Sequence, residues 1–118
     1  MAILKIAKMG HPLLLQKAKE VRDPTSPEIK KLVNDMFDTL NDLGGSGVGL
    51  AAPQVHISLQ IVIFEAANEN ETSLITLINP KIEVLTKETS IDWEGCLSVP
   101  GLRGKVSRPN KIKYTGLD

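Results

Sequence analysis

One amphipathic stripe constrains the fold of this chain more than any other feature. Apolar side chains recur at intervals of three and four residues, which places them on one face of an α-helix. The members of the stripe are Ile29, Leu32, Val33, Met36, Phe37, Leu40 and Leu43. The pattern predicts a helix from Pro27 to Leu43 that packs on the rest of the protein through this face.

The residues that flank the stripe agree with this helix. Ser26 before Pro27 is one possible start, and a capping box formed by Thr25 and Glu28 is another. The pair Gly44-Gly45 ends the helix, because glycine is a weak helix former and a common helix terminator. Before the helix, residues 1–21 have the composition of an irregular arm.

After the helix, the apolar pattern changes to short runs that are typical of β-strands. The predicted strands are Leu59–Glu65, Leu74–Asn79, Lys81–Thr86, Thr89–Trp93, a segment around Val106, and Lys111–Tyr114. A polar loop at 67–71 separates the first two runs, Asn79-Pro80 kinks the chain, and Thr115–Asp118 has the composition of a turn. We expect an α+β fold in which the helix packs on mostly antiparallel, short strands.

Composition limits the classes of protein to which the chain can belong. Its 118 residues, 42% of them apolar, fit one domain over residues 1–118. Lysine plus arginine and aspartate plus glutamate both number 14, so no net charge favours nucleic acid or an anionic membrane. The single cysteine, Cys96, and the lack of an N-terminal signal pattern favour a reducing, cytoplasmic setting. No apolar run approaches the roughly 20 residues of a membrane span, so we expect no membrane association.

The first segment whose residues could take part in binding or catalysis is Gly47–Gln54, which reads Gly-Val-Gly-Leu-Ala-Ala-Pro-Gln. Its glycines allow close approach of the backbone to a ligand. A phosphate-binding loop is disfavoured, because the segment lacks the Gly-Lys-Ser/Thr ending and the third glycine of a dinucleotide fingerprint. Gln54 is either a neutral amide donor for a developing oxyanion or an ordinary surface glutamine.

The second segment is Trp93–Gly101, which reads Trp-Glu-Gly-Cys-Leu-Ser-Val-Pro-Gly. It places Cys96 in a tight loop at the end of a predicted strand, where a thiolate could face a cleft. A single free cysteine is more often a small buried apolar residue, and its reactivity depends on a pKa and an exposure that sequence does not reveal.

Together, these two segments closely resemble the first two signature motifs of peptide deformylases. The long helix, the strands and the segment 103–109 fit the same family, so the resemblance covers essentially the whole chain. It implies a metal-dependent hydrolase that removes the formyl group from the N-terminal formyl-methionine of nascent proteins. In that family one cysteine and two histidines hold a divalent metal, commonly Fe(II) and often replaceable by nickel or zinc.

The resemblance also implies roles for individual residues in the chemistry. Cys96 matches the cysteine ligand of the metal. The side chain of Gln54 and the backbone N–H of Leu97 match the donors that receive the negative charge on the formyl oxygen.

Four further residues match positions that bind or surround the substrate. Val48 is expected to line the methionine pocket, and the backbone of Gly49 to bind the peptide. Glu94 matches a polar residue that supports the site, and Arg103 a side chain near the peptide exit. N-formylmethionyl peptides are therefore the expected partners.

The chain departs from the family pattern in its histidines. The family's third motif, H-E-x-x-H, is absent, and His11 and His56 are the chain's two histidines. Neither has the spacing of a metal ligand, so we expect a surface or structural role for each. We interpret the chain as C-terminally truncated before the metal-binding helix, so that it retains no metal and has no turnover by itself.

A missing helix has a consequence for packing. Strand side chains that it would cover, such as Ile61, Ile63, Leu77 and Cys96, are expected to be exposed. The sequence thus predicts marginal stability or self-association through this apolar face. Two alternative functions remain open: a non-catalytic module that binds formyl-methionyl peptides, and a hydrolase in which Cys96 is a nucleophile paired with His11 or His56.

Overall fold

The computed structural model of the protein describes residues 3–42, 48–67 and 72–117. Its elements are α1 (Pro12–Leu15), α2 (Pro27–Asp42), β1 (Gly49–Ala51), a 3₁₀ helix (Ala52–Val55), β2 (Ile61–Ala67), β3 (Thr72–Val84), β4 (Thr89–Cys96), β5 (Val99–Pro109) and β6 (Ile112–Leu117). The predicted helix end at Leu43 with its stop at Gly44-Gly45, the first motif residue Gly47, residues 68–71 of the predicted loop and Asp118 lie outside the described residues.

Helix α2 confirms the central prediction from sequence. Ser26 caps it, since the Ser26 hydroxyl accepts a hydrogen bond of 3.3 Å from the N–H of Ile29. Thr25 has a different role, because its backbone N–H and its hydroxyl both donate to Asp23. Of the two starts that the sequence allowed, the Ser26 cap is therefore the correct one. Within the described ranges, no helix has the length and apolar character needed to cross a bilayer.

The core lies between α2 and one face of a four-stranded sheet. Met36 and Leu40 of α2 belong to the same buried cluster as residues of β1, β2 and β3. These residues are Leu50, Ile61, Ile63 and Ile78. The expectation that Ile61 and Ile63 lack a cover is wrong, because the side of β2 that carries them faces this core. Leu77, on the other face, is half-buried, and Cys96 is exposed.

Two antiparallel sheets organise the strands that the structure describes. The larger sheet has the order β1-β2-β3-β6, and β4 pairs with β5 in a separate hairpin. Every pairing between these strands is antiparallel, which agrees with the predicted α+β architecture.

Strand β3 joins two runs that the sequence separated at Asn79-Pro80. A register shift there and a φ of 54° at Asn79 absorb the proline without ending the strand. The Asn79 side chain accepts a hydrogen bond of 2.8 Å from the N–H of Val21 and donates one of 3.1 Å to the Val21 carbonyl. The irregularity thus ties the N-terminal arm to the sheet.

Both ends of the chain are more regular than their composition indicated. The turn predicted from Thr115 is wrong, because β6 continues to Leu117, which lies opposite Ile78 of β3. Strand pairing therefore outweighs the turn composition of these residues. The N-terminal arm contains the short helix α1, whose start is capped by the His11 ring accepting from the N–H of Leu13.

Candidate active site

The side chain of Gln54 brings the two motif segments together. Its Nε2 donates a hydrogen bond of 3.2 Å to the Ser98 hydroxyl and lies 3.5 Å from the Cys96 sulfur. Gln54 and Cys96 are 42 residues apart in the chain. The sequence suggested a common site through the family resemblance, and the structure places these two residues in direct contact.

Local structure fixes the orientation of the Gln54 amide. The residue lies in the 3₁₀ helix that follows β1, and its Oε1 accepts a hydrogen bond of 3.0 Å from the N–H of Ala51. With the carbonyl end of the amide held by the backbone, the NH₂ end points toward the Cys96 loop. The amide is therefore positioned as a donor at this site.

The Cys96 loop combines an exposed thiol with two anchored neighbours. Cys96 ends β4 at a register shift between Gly95 and Cys96, and its side chain is exposed. The next residue, Leu97, packs against the core cluster. Ser98, one residue further, is only 4% exposed. The loop therefore presents sulfur to the surface while its following residues hold it in place.

The N-terminal arm links the two motif loops through the backbone. The N–H of Ala7 donates to the Gln54 carbonyl at 2.6 Å, and the N–H of Met9 donates to the Ser98 carbonyl at 2.7 Å. Sequence reasoning missed both the arm and Ser98. Ser98 stands inside the second motif, which could have indicated it, whereas no local pattern predicts the long-range contacts of the arm.

Val48 and Gly49 lie at an edge of the larger sheet. The carbonyl of Val48 accepts a hydrogen bond of 2.8 Å from the N–H of Glu65, and its side chain is 69% exposed. A Cβ added at Gly49 would lie 3.1 Å from the Ile63 carbonyl oxygen and 3.2 Å from Phe64 Cβ, which explains the glycine. In the described part of the chain β1 pairs only with β2, so its other edge presents backbone groups with which an added strand could pair.

Glu94 forms an ion pair with a residue that sequence reasoning did not single out. The Nε and Nη2 atoms of Arg108 donate to the two carboxylate oxygens of Glu94 at 3.0 Å and 2.8 Å. These hydrogen bonds lower the pKa of Glu94 and raise the pKa of Arg108. Glu94 of β4 is thus linked to Arg108 of β5, and its carboxylate is already engaged within the hairpin.

Arg103 lies beside the Cys96 loop in an open groove of about 1030 Å³. The groove runs along the β4–β5 hairpin and under the N-terminal arm. Residues that line it include Ile6, Lys8, Trp93, Cys96, Leu97 and Arg103. Two residues predicted to serve the chemistry, Cys96 and Leu97, thus share one surface with a residue predicted to meet the substrate.

The donor set does not form a complete metal site by itself. Among the described residues there is no group of three or more His, Cys, Asp or Glu side chains that could hold a metal ion. His11 and His56 contact each other, with 4.7 Å between ring centroids, which their spacing in the sequence did not indicate. A catalytic zinc-type site takes about three protein ligands, so Cys96 would fit as one of them, and the residues that the structure describes do not supply the others.

Comparison with known proteins gives a consistent result. Residues 3–118 match the family model described as polypeptide deformylase. The chain is 43% identical over 122 residues to peptide deformylase 1 of Nitrosomonas europaea, an alignment that covers 98% of this chain and 68% of that protein.

Solved structures agree as well. The peptide deformylase of Ehrlichia chaffeensis in complex with actinonin has a TM-score of 0.89 at 35% identity, covering 100% of this chain and 70% of that chain. The Met-Ala-Ser-bound class I type b peptide deformylase of Acinetobacter baumannii has a TM-score of 0.86 at 32% identity, covering 99% of this chain and 78% of that chain.

The α+β fold and these matches place the protein in the class of proteins that share the fold of deformylase hydrolases. The chain belongs to the polypeptide deformylase family. It spans about two thirds of the length of the curated relatives it matches, for example 68% of the Nitrosomonas protein.

Proposed function

We propose that these residues form the formyl-peptide-binding part of a peptide deformylase-type metallohydrolase, which acts on the N-terminal formyl-methionine of nascent proteins in the cytoplasm. The observation that carries the proposal is the contact of the Gln54 amide with Cys96 and Ser98. It places a fixed neutral donor beside the thiol of the only cysteine in the chain.

Gln54 and Leu97 are the proposed donors to the formyl oxygen. The Gln54 NH₂ group is oriented by the bond from Ala51 to its carbonyl, and the Leu97 N–H belongs to the residue directly after Cys96. Donors held in this way stabilise negative charge without reorganising as it develops, and loss of one typically costs about 10²- to 10³-fold in rate.

The proposed substrate is an N-formylmethionyl peptide in extended form. The edge of β1 that pairs with no other strand in the described ranges offers the Gly49 backbone to such a peptide, and the exposed Val48 side chain offers an apolar contact for the methionine. The relative from Acinetobacter baumannii that is bound to Met-Ala-Ser has the same fold, which supports this assignment. Arg103 would meet the chain after the methionine, and Glu94 would support the loop through Arg108.

Cys96 is the proposed sulfur ligand of a divalent metal, with Fe(II) the family's common metal and nickel or zinc its substitutes. The described residues do not supply the remaining ligands. We therefore infer that the 118-residue chain alone neither retains metal tightly nor turns over a formyl-peptide.

Calorimetric titration with formyl-Met-Ala-Ser and with Met-Ala-Ser tests the binding proposal. We expect saturable binding that is tighter for the formylated peptide, and loss of this difference in Gln54→Glu, which keeps the acceptor oxygen but removes the donor. Gln16→Glu, at an exposed glutamine outside the site, is the matched control. Equal binding of both peptides by the unaltered chain would contradict the proposal.

A second candidate is a non-catalytic module that binds formyl-methionyl peptides. The incomplete donor set favours it, since the proposed peptide-binding residues lie in the described part of the chain, which forms no full metal site. Such a module binds the peptide equally well with Ni(II) and with a chelator, whereas a deformylase site gains affinity from the metal. The cysteine nucleophile is disfavoured, because the polar neighbour of the Cys96 sulfur is an amide, which cannot act as a general base.

Self-association is proposed for a different apolar surface from the one expected. On β3 and β6, the cross-strand pairs Ile82–Tyr114 and Val84–Ile112 are exposed. Contiguous exposed apolar side chains of this kind favour association between molecules. Sedimentation velocity as a function of concentration tests it, and a monomer throughout would exclude it.

A further inference from the structure

Three cationic side chains and the chain's single tryptophan lie together beside the Cys96 loop. Lys8, Trp93 and Arg103 line the groove described above. The Nζ atom of Lys105 lies 5.3 Å from the centroid of the Trp93 ring, within the range of a cation–π contact. The hydrogen bonds of the Gln54 amide involve none of these side chains.

Strand pairing explains why these side chains share one face of the hairpin. Trp93 lies opposite Lys105, and Gly95 lies opposite Arg103. Since successive side chains of a strand point to opposite faces, Asp92 and Glu94 are directed away from Trp93. Glu94 is in addition engaged by Arg108. The hairpin thus separates its carboxylates from the cations that face the groove.

Lys8 reaches the groove from the N-terminal arm. The hydrogen bonds of Ala7 to Gln54 and of Met9 to Ser98 fix the backbone on both sides of it. Ala7 is buried, and Lys8 between these two anchors is exposed. Its position beside the groove is therefore a consequence of the same bonds that hold the two motif loops together.

The positive charge of the groove is not compensated by its own walls. No aspartate or glutamate is among the described residues that line it. Ion pairs elsewhere in the described chain join Lys31 to Asp35 and Arg108 to Glu94, and neither involves a groove cation. The formal net charge of the chain is zero, so attraction of an anion here is a local property.

We propose that this groove selects formyl-peptides with aspartate or glutamate in the residues that follow the formyl-methionine. The inference rests on the function proposed above, which places the formyl group at Gln54 and Cys96. We place the residues after the methionine along the groove that leads from Cys96 past Arg103 and Lys8, which an extended peptide spans at about 3.3 Å per residue. Trp93, 58% exposed, offers an aromatic surface to the same segment.

Trp93 provides the reporter for the test, because it is the only tryptophan in the chain. Its fluorescence is followed during titration with formyl-Met-Glu-Asp, formyl-Met-Ala-Ser and formyl-Met-Lys-Arg. At low salt we expect the acidic peptide to bind roughly three- to tenfold more tightly than the neutral one, as expected for two exposed charge pairs. High salt should remove this preference.

Charge reversal makes the test specific to the groove. The double variant Lys8→Glu with Arg103→Glu should prefer the basic peptide. The matched control is Lys17→Glu with Lys30→Glu, which changes the net charge equally at exposed positions outside the groove and should keep the acidic preference. A reversal of preference also shows that the variant is folded, which a simple loss of binding would not.

The outcomes separate this inference from the function on which it rests. Equal affinity for the three formylated peptides overturns the groove proposal and leaves the formyl-peptide function standing. If formyl-Met-Glu-Asp and Met-Glu-Asp bind equally well, and each more tightly than formyl-Met-Ala-Ser or Met-Ala-Ser, respectively, that result supports the groove proposal and contradicts the proposed formyl site. If a short oligouridylate displaces the acidic peptide at a concentration below that of the peptide, the groove binds nucleic acid, and the peptide assignment is overturned.

Discussion

The α2–sheet core and the β4–β5 hairpin are built in opposite ways. In the core, Met36 and Ile63 are fully buried, with 0% of each exposed. In the hairpin, Ile91 is 70% exposed, and Ser98 is the buried exception. The core is therefore stabilised by apolar burial, whereas the hairpin is positioned at its Cys96 end by a few polar contacts and by the packing of Leu97 on the core cluster. The candidate site lies where the two regions meet. The residues that stabilise the fold by burial are therefore different from those that form the site.

The largest expected effect is in the core. Ile63→Ala should lower the free energy of unfolding by about 2–5 kcal/mol, because it removes a fully buried side chain and leaves a cavity. Ile91→Ala in the hairpin should change it by less than about 0.5 kcal/mol. Urea denaturation of both variants measures the difference, and similar losses would abolish the distinction between the two regions.

A smaller effect is expected where the hairpin is attached. Ser98→Ala removes the hydroxyl that accepts from Gln54, which should cost about 0.5–1.5 kcal/mol. Hydrogen exchange should accelerate in β4 and β5 and stay unchanged in β2 and β3, because the core does not depend on this contact. Ser107→Ala, at an exposed hairpin position, is the control. Uniform acceleration across all four strands would show that the hairpin and core open together.

The smallest effect concerns the ion pair within the hairpin. Because the hydrogen bonds from Arg108 lower the pKa of Glu94, Arg108→Gln should raise it toward its ordinary value of 4.5. The pair's stabilisation is present above that ordinary value and is lost as the pH falls through the lowered pKa of the folded state. A carbon-detected NMR titration of Glu94 measures the shift, and an unchanged midpoint would show that the pair does not persist in solution.

Sequence predicted the elements better than their faces and ends. The stripe from Ile29 onward specified α2, because its periodicity and cap agree. In β2, however, Ile61 and Val62 are both apolar, so alternation could not indicate which face meets the helix. The composition of residues 115–117 indicated a turn, but pairing with β3 is a tertiary interaction that local propensity does not contain.

The same distinction holds for the site. The two motif segments indicated Gln54 and Cys96 through residue type and family resemblance, and these residues are in contact. The bonds from Ala7 and Met9 and the pairing of Glu94 with Arg108 were not predicted. They depend on how distant segments meet, and no short pattern in the sequence expresses them.

We propose that the described residues bind a formyl-peptide without supplying a complete catalytic metal site. The most direct measurement is formate release from formyl-Met-Ala-Ser by the 118-residue chain after loading with Fe(II) or Ni(II), at a peptide concentration shown by calorimetry to saturate binding. We expect the peptide to be bound and no formate to be released beyond the uncatalysed level. Multiple turnovers by this chain would contradict it.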